Sequence, residues 1–137
     1  MALVVDSSVF ISLERRGLSS ADIRLIVPDE SLTIASVTAA ELLTGVHRAA
    51  GSGRRETRAS FVESVLGLVR VVPFDLAVAR TLARIWADLA AAGTPIGQYD
   101  MLVAATALTH GYDVLTDNVR EFRRVAGLTV IQPTWPD

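Results

Sequence analysis

Four acidic side chains stand where a carboxylate could do chemistry. Asp6 closes the apolar run Leu3-Val4-Val5, Glu41 follows Ser36-Val37-Thr38-Ala39-Ala40, Asp100 precedes Met101-Leu102-Val103-Ala104-Ala105, and Asp117 follows Val114-Leu115-Thr116. Each has a purely structural use as well. Asp6 can cap the helix after it, Thr38 and Glu41 have capping-box spacing, Asp100 suits a helix N-terminus, and Asp117 or Asn118 can cap a last helix, with Glu121 at box spacing from Asn118. Those uses account poorly for Asp6 and Asp100, because both adjoin sequence that is buried, where an uncompensated charge is costly. With no cluster of basic residues beside them, carboxylates gathered together need another partner charge. A hard divalent cation with oxygen ligands is the ordinary one.

Other chemistries are missing from the chain. There is no cysteine, which removes disulfides, thiolate metal sites and a cysteine nucleophile. The phosphate-cradling patterns G-x-x-x-x-G-K-[ST] and G-x-G-x-x-G are absent, as is the G-x-S-x-G nucleophile elbow. Asp6-Ser7-Ser8 lacks the second Asp that aspartyl-phosphate phosphatases place two residues on. The two histidines, His47 and His110, are expected at the surface or at a helix end, so a zinc site of the usual kind is not expected.

The elements that must position these acids follow from periodicity. Short apolar strands are expected at 3–5, 32–35, 69–74, 113–116 and 129–131. Helices are expected from Asp6 or Ser7 to Arg16, from Thr38 to the glycines at 51 and 53, and over 55–68, 75–92, 98–109 and 119–125, with a weaker turn over 21–27. Strands that alternate with helices, without two-residue hairpin turns, imply βαβ crossovers and an α/β fold with a mainly parallel sheet covered on both faces. Ligands of such sheets gather beyond the carboxyl ends of the strands. That edge is where Asp6 and Asp117 stand, with Glu41 in the first turn of the helix after the second strand.

Composition sets the frame. The 137 residues suffice for one domain, expected to span 1–137, and a half-apolar, one-fifth-charged chain of mean hydropathy +0.39 is not of the disordered class. All 13 basic residues are arginine, against 15 acidic ones, so the net charge of −2 does not advertise nucleic acid in bulk. No apolar run approaches the roughly 18 residues that span a bilayer, and a cytoplasmic protein is expected.

Four segments in order, Val4-Val5-Asp6-Ser7-Ser8-Val9-Phe10-Ile11, Ser36-Val37-Thr38-Ala39-Ala40-Glu41-Leu42, Tyr99-Asp100-Met101-Leu102-Val103-Ala104-Ala105-Thr106-Ala107 and Leu115-Thr116-Asp117-Asn118-Val119-Arg120-Glu121-Phe122, resemble the PIN-domain nucleases, specifically the VapC toxins of toxin–antitoxin pairs. Val130-Ile131-Gln132-Pro133 resembles that family too. The resemblance implies an α/β/α sandwich, an endoribonuclease dependent on Mg²⁺ or Mn²⁺, a cognate antitoxin and a homodimer that assembles further with it. By position it implies Asp6, Glu41 and Asp100 as acidic metal ligands and catalytic residues. The fourth position falls to Asp117, directly or through water, or to Asn118, because many relatives place an Asp where Asn118 stands. Ser7, Ser8 and Thr116 match positions that orient the acids or bound water. Antitoxin binding is expected on the helices before Asp75, in an apolar groove carrying Leu42, Leu43, Val46, Phe61 and Val65.

Cleavage by such a site is hydrolysis by a metal-activated water that leaves 5′-phosphate and 3′-hydroxyl ends, with no covalent enzyme intermediate. Two other readings stay open on sequence alone. One is a catalytically silent PIN-like binding module whose acids only cap helices, and the other is a metal-dependent phosphohydrolase of small molecules. Which RNA is cut is not written in the acidic motifs.

Overall fold

A computed structural model describes residues 2–136, so Met1 and Asp137, the ends of the expected 1–137 domain, lie outside the described residues. Its centre is a five-stranded sheet of β1 (Ala2–Val5), β2 (Ser31–Ala35), β3 (Arg70–Val72), β4 (Asp113–Leu115) and β5 (Val130–Ile131), in the order β3-β2-β1-β4-β5. All four pairings are parallel, as the alternation of strands and helices implies. The helices are α1 (Ser7–Arg15), α2 (Ser36–Arg48), α3 (Ser52–Leu68), α4 (Leu76–Ala92), α5 (Gln98–His110) and α6 (Val119–Phe122). The segment Ser20–Leu25 is a 3₁₀ turn, begun where the Asp22 carboxylate accepts the Ser19 N–H at 2.7 Å.

Both faces of the sheet are covered, which is why its central strands are apolar at consecutive positions rather than alternate ones. On one face Val5, Val9, Phe10, Leu13, Val62 and Val65 pack together from β1, α1 and α3. On the other Val4, Val78, Ile85, Ala104 and Phe122 form a second core with α4, α5 and α6. Burying Phe10 alone contributes about 2–3 kcal/mol. Among the described residues no helix is long and apolar enough to cross a membrane.

Helix α5 is the element that matters most for the site. Met101 and Val103 to Ala107 are all buried, and their mostly small side chains let the helix lie close against the sheet. It ends at Gly111, whose φ of 70° is a left-handed turn that a side chain would strain, and there Tyr112 N–H returns to the Ala107 carbonyl at 2.9 Å. The chain then enters β4 directly. Asp100 is thereby fixed at the start of a buried helix whose end delivers Thr116 and Asn118.

Several boundaries differ from the sequence pattern. Helix α2 begins at Ser36, two residues early, because Ala35 in extended conformation serves as N-cap and the Ser36 hydroxyl donates to the Val72 carbonyl at 3.0 Å. Glu41 therefore sits in the second turn, not the first. Helix α3 starts at Ser52 just after Gly51, while β3 stops before Pro73 and α6 stops at Phe122.

Candidate active site

The strand order reverses between β1 and β4, and their carboxyl ends carry the site. Asp6 follows β1, is 4% exposed, and its N–H donates to the Leu115 carbonyl at 2.9 Å. It occupies the N-cap position of α1, yet its side chain makes no capping bond. Both the Ser8 and the Thr116 hydroxyls donate instead to its Oδ2, each at 2.8 Å. Those hydroxyls in turn accept the N–H groups of Asp117, at 3.1 Å, and Asn118, at 2.9 Å. The loop after β4 is thus tied to Asp6 through two hydroxyls. No protein donor among the described residues reaches Asp6 Oδ1.

Asp100 is treated in the same way. The Asn118 side-chain amide donates to its Oδ2 at 3.0 Å, and Asn118 makes no cap on α6. Burial first, then the negative charges of Asp6 and Glu121, push the Asp100 carboxyl up to about 6, against the pull of the Asn118 amide. For Glu41, burial first, then Asp6 and Asp100, push the carboxyl up to about 7, opposed by the Ser7 hydroxyl. The capping-box use of Glu41 fails: α2 has no acidic residue in its first turn, and the buried Thr38 hydroxyl has no partner.

Asp6, Glu41 and Asp100 are therefore one electrostatic unit, and Asp117 stands apart from it. Both of its oxygens are engaged elsewhere, Oδ2 by the Ser12 hydroxyl at 2.6 Å and Oδ1 by the Trp135 indole N–H at 2.9 Å. The Arg16 guanidinium lies 4.6 Å from the Trp135 ring centre, which holds the C-terminal segment over α1. Of the two residues expected to share the fourth position, Asn118 is the one that touches an acid of the cluster. As the side chains stand, no three His, Asp or Glu side chains among the described residues are poised around one ion. His47 is exposed, and His110 is exposed and stacked on Tyr112 at 5.5 Å, away from this chemistry.

A cleft of about 300 Å³ leads from Glu41 between α1, α2 and α3, its apolar side chains rimmed by Glu14, Arg15 and Arg58. Leu42 and Phe61 line it, together with Phe10, Ile11 and Val62. The expected set needs correction here. Val65 is fully buried in the core, so it offers nothing to a partner, whereas Leu43, 38% exposed, and the half-buried Val46 remain accessible although neither lines this cleft. Helical periodicity marks Val65 as apolar without saying that its stripe faces the sheet. Ile11, 41% exposed, and Tyr99, 55% exposed beside Asp100, were not singled out by the sequence pattern, since an isolated exposed apolar or aromatic residue carries no periodic signal. The same is true of Trp135.

With this geometry in view, comparison with known proteins is informative. Residues 3–128 match the family model described as PIN domain. The chain is 39% identical over 131 residues to a ribonuclease VapC1 of Rickettsia felis, covering 96% of each chain. It is 30% identical over 128 residues to a tRNA(fMet)-specific endonuclease VapC of Shigella flexneri, covering 93% of this chain and 95% of that one. A crystal structure of DNA-bound VapBC from Salmonella typhimurium contains a chain that superposes with a TM-score of 0.85 at 27% identity, covering 96% of this chain and 98% of that chain.

Proposed function

The chain belongs to the PIN-domain family, and from that membership and the carboxylate geometry we propose that it is the toxin of a type II toxin–antitoxin pair, an endoribonuclease that hydrolyses RNA phosphodiester bonds. One observation supports this most. Asp6 and Asp100 each have one oxygen held by protein donors while the other accepts none from the described residues, so two fixed carboxylates and Glu41 share a surplus of negative charge.

That donor set fits a divalent cation. It is all oxygen, it is crowded with like charge, and Mg²⁺ or Mn²⁺ on Asp6, Glu41 and Asp100 would relieve that repulsion. Bound there, the cation would supply acidification of a water and neutralisation of charge on the phosphate oxygens. The chain's own residues do the rest. Ser8 and Thr116 hold Asp6 by its Oδ2, Asn118 orients Asp100, and Glu41 adds the third carboxylate from α2. We assign Asp117 to positioning the loop that carries Asn118, rather than to ligation. A cytoplasmic site of action and a single 1–137 domain complete the proposal.

The partner is a cognate antitoxin, in keeping with the VapBC complex that contains a chain similar to this one. The cleft of Ile11, Leu42 and Phe61 suits the apolar face of an amphipathic antitoxin helix. The test is cleavage of total RNA with Mg²⁺, with Mn²⁺ and with chelator, by wild type and by Asp6→Asn. Cuts bearing 5′-phosphates that need the cation and vanish in the variant are expected. Cuts that survive either change reject the proposal, and an absence of any RNA cleavage favours a binding module or a small-molecule phosphohydrolase.

A further inference from the structure

A polyanion approaching three carboxylates is repelled unless positive charge lies along its path. The surface of α2 supplies such a path. Glu41, Gly45 and Arg48 fall at i, i+4 and i+7 and so form one ridge, about 10 Å long at the helical rise. A cleft of about 240 Å³ follows that ridge, lined by Glu41, Thr44, Arg48 and, across from them, Tyr99. It shares Arg48 with a second cleft of about 620 Å³ at the α2–α3 corner, lined by Arg48, Arg54, Thr57 and Arg58 together with Glu14. Arg58 is paired with Glu14 at 3.1 Å, whereas neither Arg48 nor Arg54 makes an ion pair among the described residues.

Two exposed guanidinium groups thus stand beyond the acidic cluster on its own helix ridge and on the next helix, in a chain whose net charge is negative. Tyr99, 55% exposed and next to Asp100 in the chain, shares the first of these clefts with Arg48 and Glu41. Guanidinium groups match phosphate geometry, and an exposed aromatic ring is a platform for an unstacked base. The cleft toward Phe61 also starts at Glu41 and carries Glu14, Arg15 and Arg58 among its apolar side chains, but neither Arg48 nor Arg54.

We propose that the α2 ridge is the track on which single-stranded RNA lies as it enters the site, with Arg48 and Arg54 on its phosphates and Tyr99 stacked on a base. The proposal rests on the nuclease reading above and names where its substrate binds. It is tested by binding without cleavage. A short fluorescein-labelled oligouridylate is titrated, in chelator, into the Asp6→Asn protein and into the same protein carrying Arg48→Ala with Arg54→Ala, or Tyr99→Ala, or Tyr99→Phe. Both arginines are exposed on helices, where alanine is the best helix former, so the variants are expected to fold.

Loss of two phosphate contacts should flatten the slope of log affinity against log salt by about 1.4. Tyr99→Ala should weaken binding by at least ~5-fold at every salt concentration, and Tyr99→Phe should restore it. A double variant Arg80→Ala with Arg84→Ala removes the same charge from α4, on the other face of the sheet, and should keep the parent slope. The proposal is overturned if the α2–α3 pair keeps the parent slope, if the α4 pair flattens it equally, or if the α2–α3 pair loses antitoxin rather than RNA. The nuclease reading fails by a different result, the absence of cation-dependent cuts by wild type.

Discussion

Asp6 and Asp117 follow neighbouring strands at the same edge of the sheet, and the protein treats them in opposite ways. Asp6 receives both of its hydroxyl donors on one oxygen, while Asp117 has one donor on each oxygen and is closed off by Ser12 and Trp135. Asp100, whose one recorded donor is Asn118, belongs with Asp6. Each carboxylate has about four acceptor sites, so two donors leave both with capacity to spare; what differs is that Asp6 keeps one whole oxygen free of recorded protein donors, whereas Asp117 is tied at both ends. That pattern of occupied oxygens is the ground on which we propose Asp6 and Asp100 for the site and Asp117 for the scaffold.

The largest expected break in that contrast comes from charge removal. Asp6→Asn or Asp100→Asn should lower RNA cleavage by at least ~10²-fold, because cation assistance is worth several kcal/mol at the transition state. Neither should lower the melting temperature in chelator, since each relieves like-charge repulsion; a fall of several degrees would make that acid a brace as well. Asp117→Asn should show the reverse pattern, a lower melting temperature with most of the cleavage rate kept.

Asn118→Ala sharpens the comparison from the side of orientation. Removing the amide that lowers the Asp100 carboxyl should raise it further, shift the acid limb of the pH–rate profile upward and slow cleavage by about 10–100-fold, the usual effect of losing a ligand's supporting hydrogen bond. An unchanged profile would detach Asn118 from the site.

Stability against pH is the next smaller effect. Glu41 and Asp100 have folded-state carboxyls raised to about 7 and about 6, so between about pH 4 and 7 the folded protein binds more protons than the unfolded chain. Stability without cation must then fall as pH rises through that window. We expect a melting temperature lower by roughly 2–6 °C at pH 8 than at pH 5 in chelator, with a smaller drop in Asp6→Asn. A melting temperature that rises over the same interval would contradict the shared surplus of charge.

The smallest effect belongs to the brace. Trp135→Phe keeps a ring for Arg16 but loses the indole donor to Asp117, at a cost of about 1 kcal/mol in stability and less than about threefold in rate.

Asp6 and Asp100 were legible in the sequence because each adjoins an uninterrupted apolar run, and the parallel sheet was legible because strands and helices alternate without hairpin turns. Glu41, expected as a site acid, had a competing use as a capping residue because its spacing from Thr38 is that of a box. Only the early start of α2 at Ser36 removes that use. The choice between Asp117 and Asn118 was not legible. Consecutive residues in a loop point in different directions, and Asp117 is turned toward Ser12 and Trp135, both distant in the chain. Val65 was over-read for a related reason, since periodicity gives a helix an apolar stripe without saying which neighbour covers it.

The most direct test of the central claim is calorimetric titration of Mn²⁺ into wild type, Asp6→Asn and Asp117→Asn at neutral pH. If the cation is held by the Asp6, Glu41 and Asp100 unit, Asp6→Asn loses binding by tenfold or more (about 1.4 kcal/mol), while Asp117→Asn stays within about threefold of wild type (about 0.6 kcal/mol). Equal loss in both variants, or loss in Asp117→Asn alone, would contradict the account.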